Sequence, residues 1–428
     1  MTLFHILTAA LICAAAPVVA QSAYSCDGLD AQQKFAAVEG SDGVFYRVSP
    51  DLQMFNSFSE VTADRVAALS KALADQGTTL IFVPLPTKSL AMPDQLPQVA
   101  RDYGFNASLA TTVYLEQVKK LQKRGVAVVD ARLALHGAKD AAPSFFATDY
   151  RMTAAGADRE AKAIADIIKA TPGYNDLPKG RFEVTPAGTA VVESAMRSAL
   201  QRHCLLPLPL AQTDTYAAAK LQGAATGGNI FGGGGSRVAV VGTEIDGDPL
   251  ANLSGFVSKY TALDTIQYAV TGGGGFAAIN SYLTSSGFAE ARPAYLVWSV
   301  PVQDSLANFG DQPFAELTAA AGDTCRVPLP VMANAGGNSI VADLSQLDAG
   351  QSYTLLVEVD STAISAARFD FTTGTQVVSK SVYRSKDQVK TGRFYMPMSG
   401  LPPEGARTVD IQLDAALGGN ARVTACFN

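Results

Sequence analysis

Asp149 and Arg151 stand two residues apart in Thr148-Asp149-Tyr150-Arg151-Met152-Thr153-Ala154-Ala155-Gly156-Ala157, and Glu244 ends the run Val238-Ala239-Val240-Val241-Gly242-Thr243-Glu244. Apolar residues before Gly242 read as a buried strand, and Gly242-Thr243 turns the chain sharply out of a sheet. A nucleophilic serine commonly occupies such a turn, exposed at the carboxyl end of the sheet. Acyl transfer there needs a hydroxyl to attack, a base to take its proton and a carboxylate to orient the base. Asp149 can be that carboxylate. Arg151 cannot be the base, because a guanidinium stays protonated at physiological pH. Glu244 is a poor acyl acceptor beside a serine hydroxyl, and Thr243 offers its hydroxyl from the wrong slot. Beyond residue 20 the histidines are His136, in the turn Leu135-His136-Gly137, and His203, beside Cys204. Either acts as a relocated base only if the fold carries it to the cleft. Local packing or surface exposure is the plainer expectation for both.

The elements that would position these residues alternate. Val66, Leu69 and Leu73 repeat at helical spacing before Gly77, and Thr79-Leu80-Ile81-Phe82-Val83 reads as a buried strand. Val113, Leu115, Val118 and Leu121 mark a second helix ending at Gly125, followed by a strand over 126–130. Thr153 starts a third helix through Ile164 and Ile168. Strand 238–241, a helix near 250–260, strand 266–270, a helix near 276–284 and strand 295–298 complete the series. Repeated strand–helix units predict an α/β fold, a parallel sheet flanked by helices. From Cys325 the texture changes to short alternating runs, such as Tyr353-Thr354-Leu355-Leu356-Val357-Glu358-Val359. They predict a small β-sandwich over 325–428, after a boundary near 315–325.

Residues 1–20 read as a secretory signal peptide. The apolar run from Leu3 to Ala16 is too short to span a bilayer, and Val18-x-Ala20 suits cleavage before Gln21. Export to the periplasm follows. Cys26, Cys204, Cys325 and Cys426 remain, an even count that predicts disulfides with three possible connectivities. No close cysteine pair supports zinc. Net charge is −6 with 17% charged residues, which argues against nucleic acid as a partner. Beyond the signal no apolar stretch is long enough for a membrane span.

Two glycine-rich stretches, 227–235 and Gly272 to Gly275, lack the Lys-Ser/Thr of a phosphate loop. The first reads as a loop. The second follows a strand near the sheet's carboxyl end and is a candidate cleft lining. In the C-terminal segment, nine basic and nine acidic side chains balance. Lys380, Arg384, Lys386, Lys390 and Arg393 nevertheless cluster, interleaved with Tyr383, Phe394 and Tyr395. That pattern suits the carboxylates and ring faces of an acidic sugar, and equally a solvated hairpin.

The Asp149 segment resembles the Asp-x-His-Trp-Ser/Thr-Pro-x-Gly-Ala signature of the alginate O-acetyltransferase family, X and J types. Asp149, Thr153, Gly156 and Ala157 match; Arg151 stands at the catalytic histidine and Glu244 at the serine of Gly-Thr-Ser. After Leu296-Val297-Trp298, the family's Glu-x-Pro-Glu-Arg reads Ser299-Val300-Pro301-Val302-Gln303. Segments resembling the family's scaffold, Phe82-Val83-Pro84-Leu85-Pro86-Thr87-Lys88 and Pro93-Asp94, are intact. The resemblance implies an SGNH-hydrolase-like domain over 21–318 and a carbohydrate-binding-like module over 325–428. It also implies one disulfide per domain, Cys26–Cys204 and Cys325–Cys426. No metal or organic cofactor is implied; an acetyl donor would be a partner protein or a small ester. The expected function is a non-catalytic protein of exopolysaccharide modification, binding an exported polysaccharide or other proteins of an acetylation or secretion system. The alternatives are an active O-acetyltransferase or acetylesterase with a rearranged site, and an adaptor whose sandwich binds protein. Arg151 and Glu244 are expected to pair with each other, with Asp149 as a second acceptor.

Overall fold

Runs of apolar residues too short for helices and bounded by turns place five parallel strands in one sheet. The computed structural model describes residues 22–54, 56, 58–138, 141–221, 238–333, 337–374, 376–402 and 405–428. The expected signal peptide and the first glycine-rich stretch lie outside the described residues. The sheet contains β1 (Thr79–Leu85), β2 (Ala127–Val128), β3 (Val238–Gly242), β4 (Thr265–Ala269) and β5 (Tyr295–Pro301). Their spatial order is β2-β1-β5-β3-β4, all parallel. Every residue of β3 and β5 is buried, which is why both strands read as continuous apolar runs rather than alternating ones. β2 is shorter than expected, because the Asp130 carboxylate accepts the Leu133 N–H and caps the next helix, Ala131–His136.

Helices α1 (Glu60–Ala74), α2 (Ala107–Gln122), α3 (Ala154–Lys169), α4 (Leu253–Thr261), α5 (Gly274–Leu283) and α6 (Gln312–Ala321) supply most of the helical structure. Ser59 caps α1, which buries Val66, Leu69 and Leu73. The buried face of α2 centres on Tyr114, Val118 and Leu121 rather than on Val113. Gly77 and Gly125 close these helices at φ +80° and +76°, where a Cβ would be strained. Several elements have no counterpart in the sequence reading, among them α6, the short N-terminal strand pair Ala37–Glu39 with Phe45–Arg47, and an antiparallel hairpin of Phe182–Val191 with Gln212–Lys220. The hairpin's alanine- and threonine-rich strands are largely exposed, so no hydrophobic alternation marks them.

From Cys325 two antiparallel sheets, one of four strands and one of five, close over a single core. Leu355, Val357 and Phe394 from one sheet meet Phe369, Phe371 and Ile411 from the other. Both disulfides form, Cys26–Cys204 and Cys325–Cys426. The second ties the first strand of the module to its last, Cys325 lying opposite Cys426.

The module is locked to the α/β part through α6. Arg384 donates to both oxygens of Glu316 and to the Arg393 carbonyl, while the Tyr395 N–H donates to Glu316. Arg384 and Glu316 are both buried. This corrects two of the proposed sugar contacts: Arg384 and Tyr395 are interior residues of the junction. A lone buried charge is far more costly than a buried pair. Arg384→Ala should therefore destabilise the protein by about 3–5 kcal/mol, whereas the double change Arg384→Met with Glu316→Leu should lose much less. Chemical denaturation of the single and double variants measures the difference.

Candidate functional site

The Asp149–Arg151 segment is delivered to the carboxyl end of the sheet by two devices. Thr153 caps α3, its hydroxyl oxygen accepting the Gly156 N–H at 3.2 Å. Beneath the segment lies Lys88, wholly enclosed, whose Nζ donates to the carbonyls of Phe45, Phe146, Ala147 and Asp149 at 2.6 to 3.1 Å. Burial pushes the amine down to about 7. Four carbonyl oxygens around it nonetheless suit only the ammonium form, since a neutral amine would turn a lone pair toward one of them.

Arg151 grips Asp149. Its Nε and Nη2 each lie 3.1 Å from a different oxygen of that carboxylate, and its backbone N–H donates to Oδ1 at 2.8 Å. Nη1 reaches Asp248 Oδ2 at 3.3 Å and Nη2 the Glu193 carbonyl at 2.6 Å. Burial works to raise the Asp149 carboxyl, but the hydrogen bonds from Arg151 and Ser194 outweigh it and hold it below the ordinary range. A planar guanidinium fills the place of an orienting carboxylate's histidine with a fork that neutralises the acid.

The expected Glu244–Arg151 ion pair is not made. Asp248, four residues beyond Glu244, takes that role because it follows the turn back toward Arg151. Glu244 instead accepts the Gly272 N–H at 3.3 Å and has no ion pair among the described residues. Of the second glycine-rich stretch, Gly272 therefore reaches Glu244. The Trp298 indole N–H holds this loop through the Gly275 carbonyl at 2.9 Å.

The negative field of Glu244 is felt by its neighbours. Tyr150 is raised by burial and then by Glu244. Asp304 is pushed up to about 6, by burial first and Glu244 second. The Arg47 guanidinium lies 4.4 Å over the Tyr150 ring, its charge balanced by Asp51 in a two-toothed pair. Behind the Glu244 turn, Asp246 faces Glu160 of α3, both buried beyond water's reach. Burial raises Glu160 well above its ordinary value, with Asp246 adding to it. Asp246 is pushed up to about 6, burial again the main cause, partly offset by the nearby Ser299 hydroxyl. A Cβ on Gly242 would come within 2.7 Å of the Asp246 carboxyl oxygens, so glycine is what admits this acid.

Sequence reasoning missed Lys88, Glu160, Asp246, Asp248 and Asp304 as members of the site. Only Glu160 carried a readable signal: it is a charge on the apolar stripe formed by Ala157, Ala161, Ile164 and Ile168. The two histidines stand elsewhere. His136 Nε2 faces Asp94 at 3.2 Å, and His203 Nδ1 faces the Asp27 carbonyl at 3.2 Å.

The basic cluster of the module is mostly committed internally. Lys380 donates to the Pro397 and Ser399 carbonyls, Lys390 to the Ala363 carbonyl at 3.3 Å, and Arg393 to Glu358 at 3.1 Å. Tyr383 and Lys386 are exposed. Lys390 and Arg393, with Tyr268, Ser285, Glu358 and Asn420, line a groove of about 870 Å³ between the module and the α/β part. The module's 385–388 turn also abuts the glycine lip: Gln388 Nε2 donates to the Ala277 carbonyl at 3.3 Å.

The family described as "SGNH hydrolase-like domain, acetyltransferase AlgX" matches residues 37–302. The chain belongs to this family. It is 28% identical over 272 residues to "Alginate biosynthesis protein AlgX" of Pseudomonas aeruginosa, 63% of this chain. The chain matches only about half of that relative's length, 56%. A counterpart in Azotobacter vinelandii is 24% identical over 397 residues, covering 86% of this chain and 81% of its own. "Probable alginate O-acetylase AlgJ" of Pseudomonas aeruginosa is 26% identical over 273 residues, 60% of this chain and 68% of that one. The solved Pseudomonas aeruginosa AlgX superposes with a TM-score of 0.75 at 20% identity, covering 93% of this chain and 97% of that one. The fold is therefore shared along nearly the whole AlgX chain. Among the described residues no helix is long and apolar enough to cross a membrane.

Two measurements probe the site. Arg151→Ala strands the Asp149 charge and should lower stability by about 3 kcal/mol, whereas Glu244→Ala should stay within about 0.5 kcal/mol of the parent; melting curves compare them. The Glu160–Asp246 pair should make stability fall as pH rises. Its folded pKa values lie above the unfolded ones, so the contribution is complete below about pH 4 and is lost through about 6 for Asp246. Glu160→Gln should flatten the denaturation-midpoint profile between about pH 5 and 8 and raise its alkaline end.

Proposed function

We propose that this chain is a non-catalytic periplasmic member of the AlgX group, which binds an exported polysaccharide during its modification. The observation that carries this reading is the fork between Arg151 and Asp149. The carboxylate that would orient a base is neutralised by a group that cannot accept a proton, and a carboxylate, Glu244, stands where a serine would attack. Neither His136 nor His203 is placed to substitute, each being paired with residues outside the cleft. Two disulfides favour an oxidising compartment. The polymer would pass from the cleft over the glycine lip to the groove lined by Lys390 and Arg393, with Lys386 and Tyr383 exposed on the module. Partner proteins of the acetylation or secretion system would meet the same polymer.

Acetylesterase activity on a chromogenic acetate tests the loss of chemistry. The native protein is expected at background, and the double variant Arg151→His with Glu244→Ser should gain measurable turnover. Native turnover that Glu244→Ala abolishes would overturn the proposal.

A further inference from the structure

Charge around Glu244 points to the kind of sugar. Arg151 is matched by Asp149 and Asp248, and Arg47 by Asp51. Glu244 has no cation within ion-pair distance among the described residues, and Asp304 is pushed up by it rather than neutralised. The replacement of the family's serine and histidine by Glu244 and Arg151 therefore leaves the cleft with an excess of negative charge, since the new cation was absorbed by an acid already present.

The module's cations are mostly committed within the fold rather than turned toward Glu244. Five basic side chains looked in sequence like a grip for uronate carboxylates. Arg384 is locked to Glu316, Arg393 to Glu358, and Lys380 and Lys390 to backbone carbonyls. Only Lys386 of the five is exposed without a described hydrogen bond or ion pair. In the groove between the two parts, Glu358 and Asp360 stand among Lys390, Arg393 and Arg422, away from Glu244.

We propose that the cleft selects a polysaccharide whose rings present donors, hydroxyls or a protonated amine, and that Glu244 excludes rings bearing carboxylates. The inference rests on the polysaccharide-binding reading above. The carboxylate of Glu244 accepts two hydroxyl hydrogen bonds or pairs with an ammonium, and it repels a uronate brought against it. The specificity is then opposite in charge to the polyuronate named for the relatives.

Isothermal titration of the full mature protein with three hexasaccharides tests this: a neutral β-1,4-glucan, its fully amino analogue chitosan, and an oligouronate. At low salt the oligouronate should bind at least about tenfold more weakly than one or both of the others, a single like-charge contact being enough for that. Glu244→Gln should narrow the gap to about threefold or less, by the same electrostatic argument. Lys386→Ala serves as the opposing arm. Oligouronate binding as tight as the others, or weakened by Lys386→Ala while Glu244→Gln changes nothing, overturns the inference but leaves the polysaccharide reading standing. A gap that persists in Glu244→Gln rejects Glu244 as its source. No binding by any of the three defeats both.

Discussion

One enclosed ammonium fixes the geometry on which the cleft depends. Lys88 leaves the end of β1 and collects carbonyls from the N-terminal strand at Phe45 and from the 146–149 segment. A charge in an apolar interior is tolerable only when its donors are all taken. The four carbonyls that satisfy Lys88 come from two segments that also bond each other, the Phe45 N–H donating to the Ala147 carbonyl at 2.8 Å, so the lysine and the loop constrain each other. Asp149 is held by its own carbonyl on Lys88 and by its carboxylate on Arg151. That double hold sets the entry into α3, and through α3 it sets Glu160 against Asp246.

The sheet, its helices and the β-sandwich were legible because they rest on patterns that a sequence displays. β3 and β5 are buried on both faces and read as unbroken apolar runs. The Asp149 and Glu244 segments could be placed opposite each other from their motifs alone. The pairing of their charges could not. Arg151 has a long side chain with several acids in reach, and which one it meets depends on the path of the turn from Glu244 to Asp248. The basic cluster failed for a related reason: sequence shows where cations lie but not that Glu316, 68 residues upstream and on another element, stands against Arg384. The exposed hairpin of Phe182–Val191 was missed because pairing without burial leaves no periodic trace.

The acids behind the cleft are compensated differently from those in it. Asp149 stays ionised because a guanidinium faces it. Glu160 and Asp246 have no such partner, and burial raises both, so the pair keeps a proton instead. Protonation spares the interior a second uncompensated charge, and it does so directly beneath the turn that presents Glu244. With one proton held between them, the pair carries a single buried charge rather than two.

The survival of Asp149 in a site without its histidine or serine invites the view that some catalysis persists. The energetics supply a structural reason for that survival. Asp149 is almost wholly buried, and its backbone carbonyl is one of the acceptors of Lys88. Once the histidine is absent, an ionised carboxylate in that position needs another donor, and a neutral replacement at residue 151 would leave it unpaired at a cost of several kcal/mol, roughly 3–5. Arginine supplies three donors to that carboxylate, counting its own backbone N–H. The retained aspartate and the new arginine are thus one structural solution. Neither residue alone is evidence about chemistry, and the fork between them is a structural reason for Asp149 to persist.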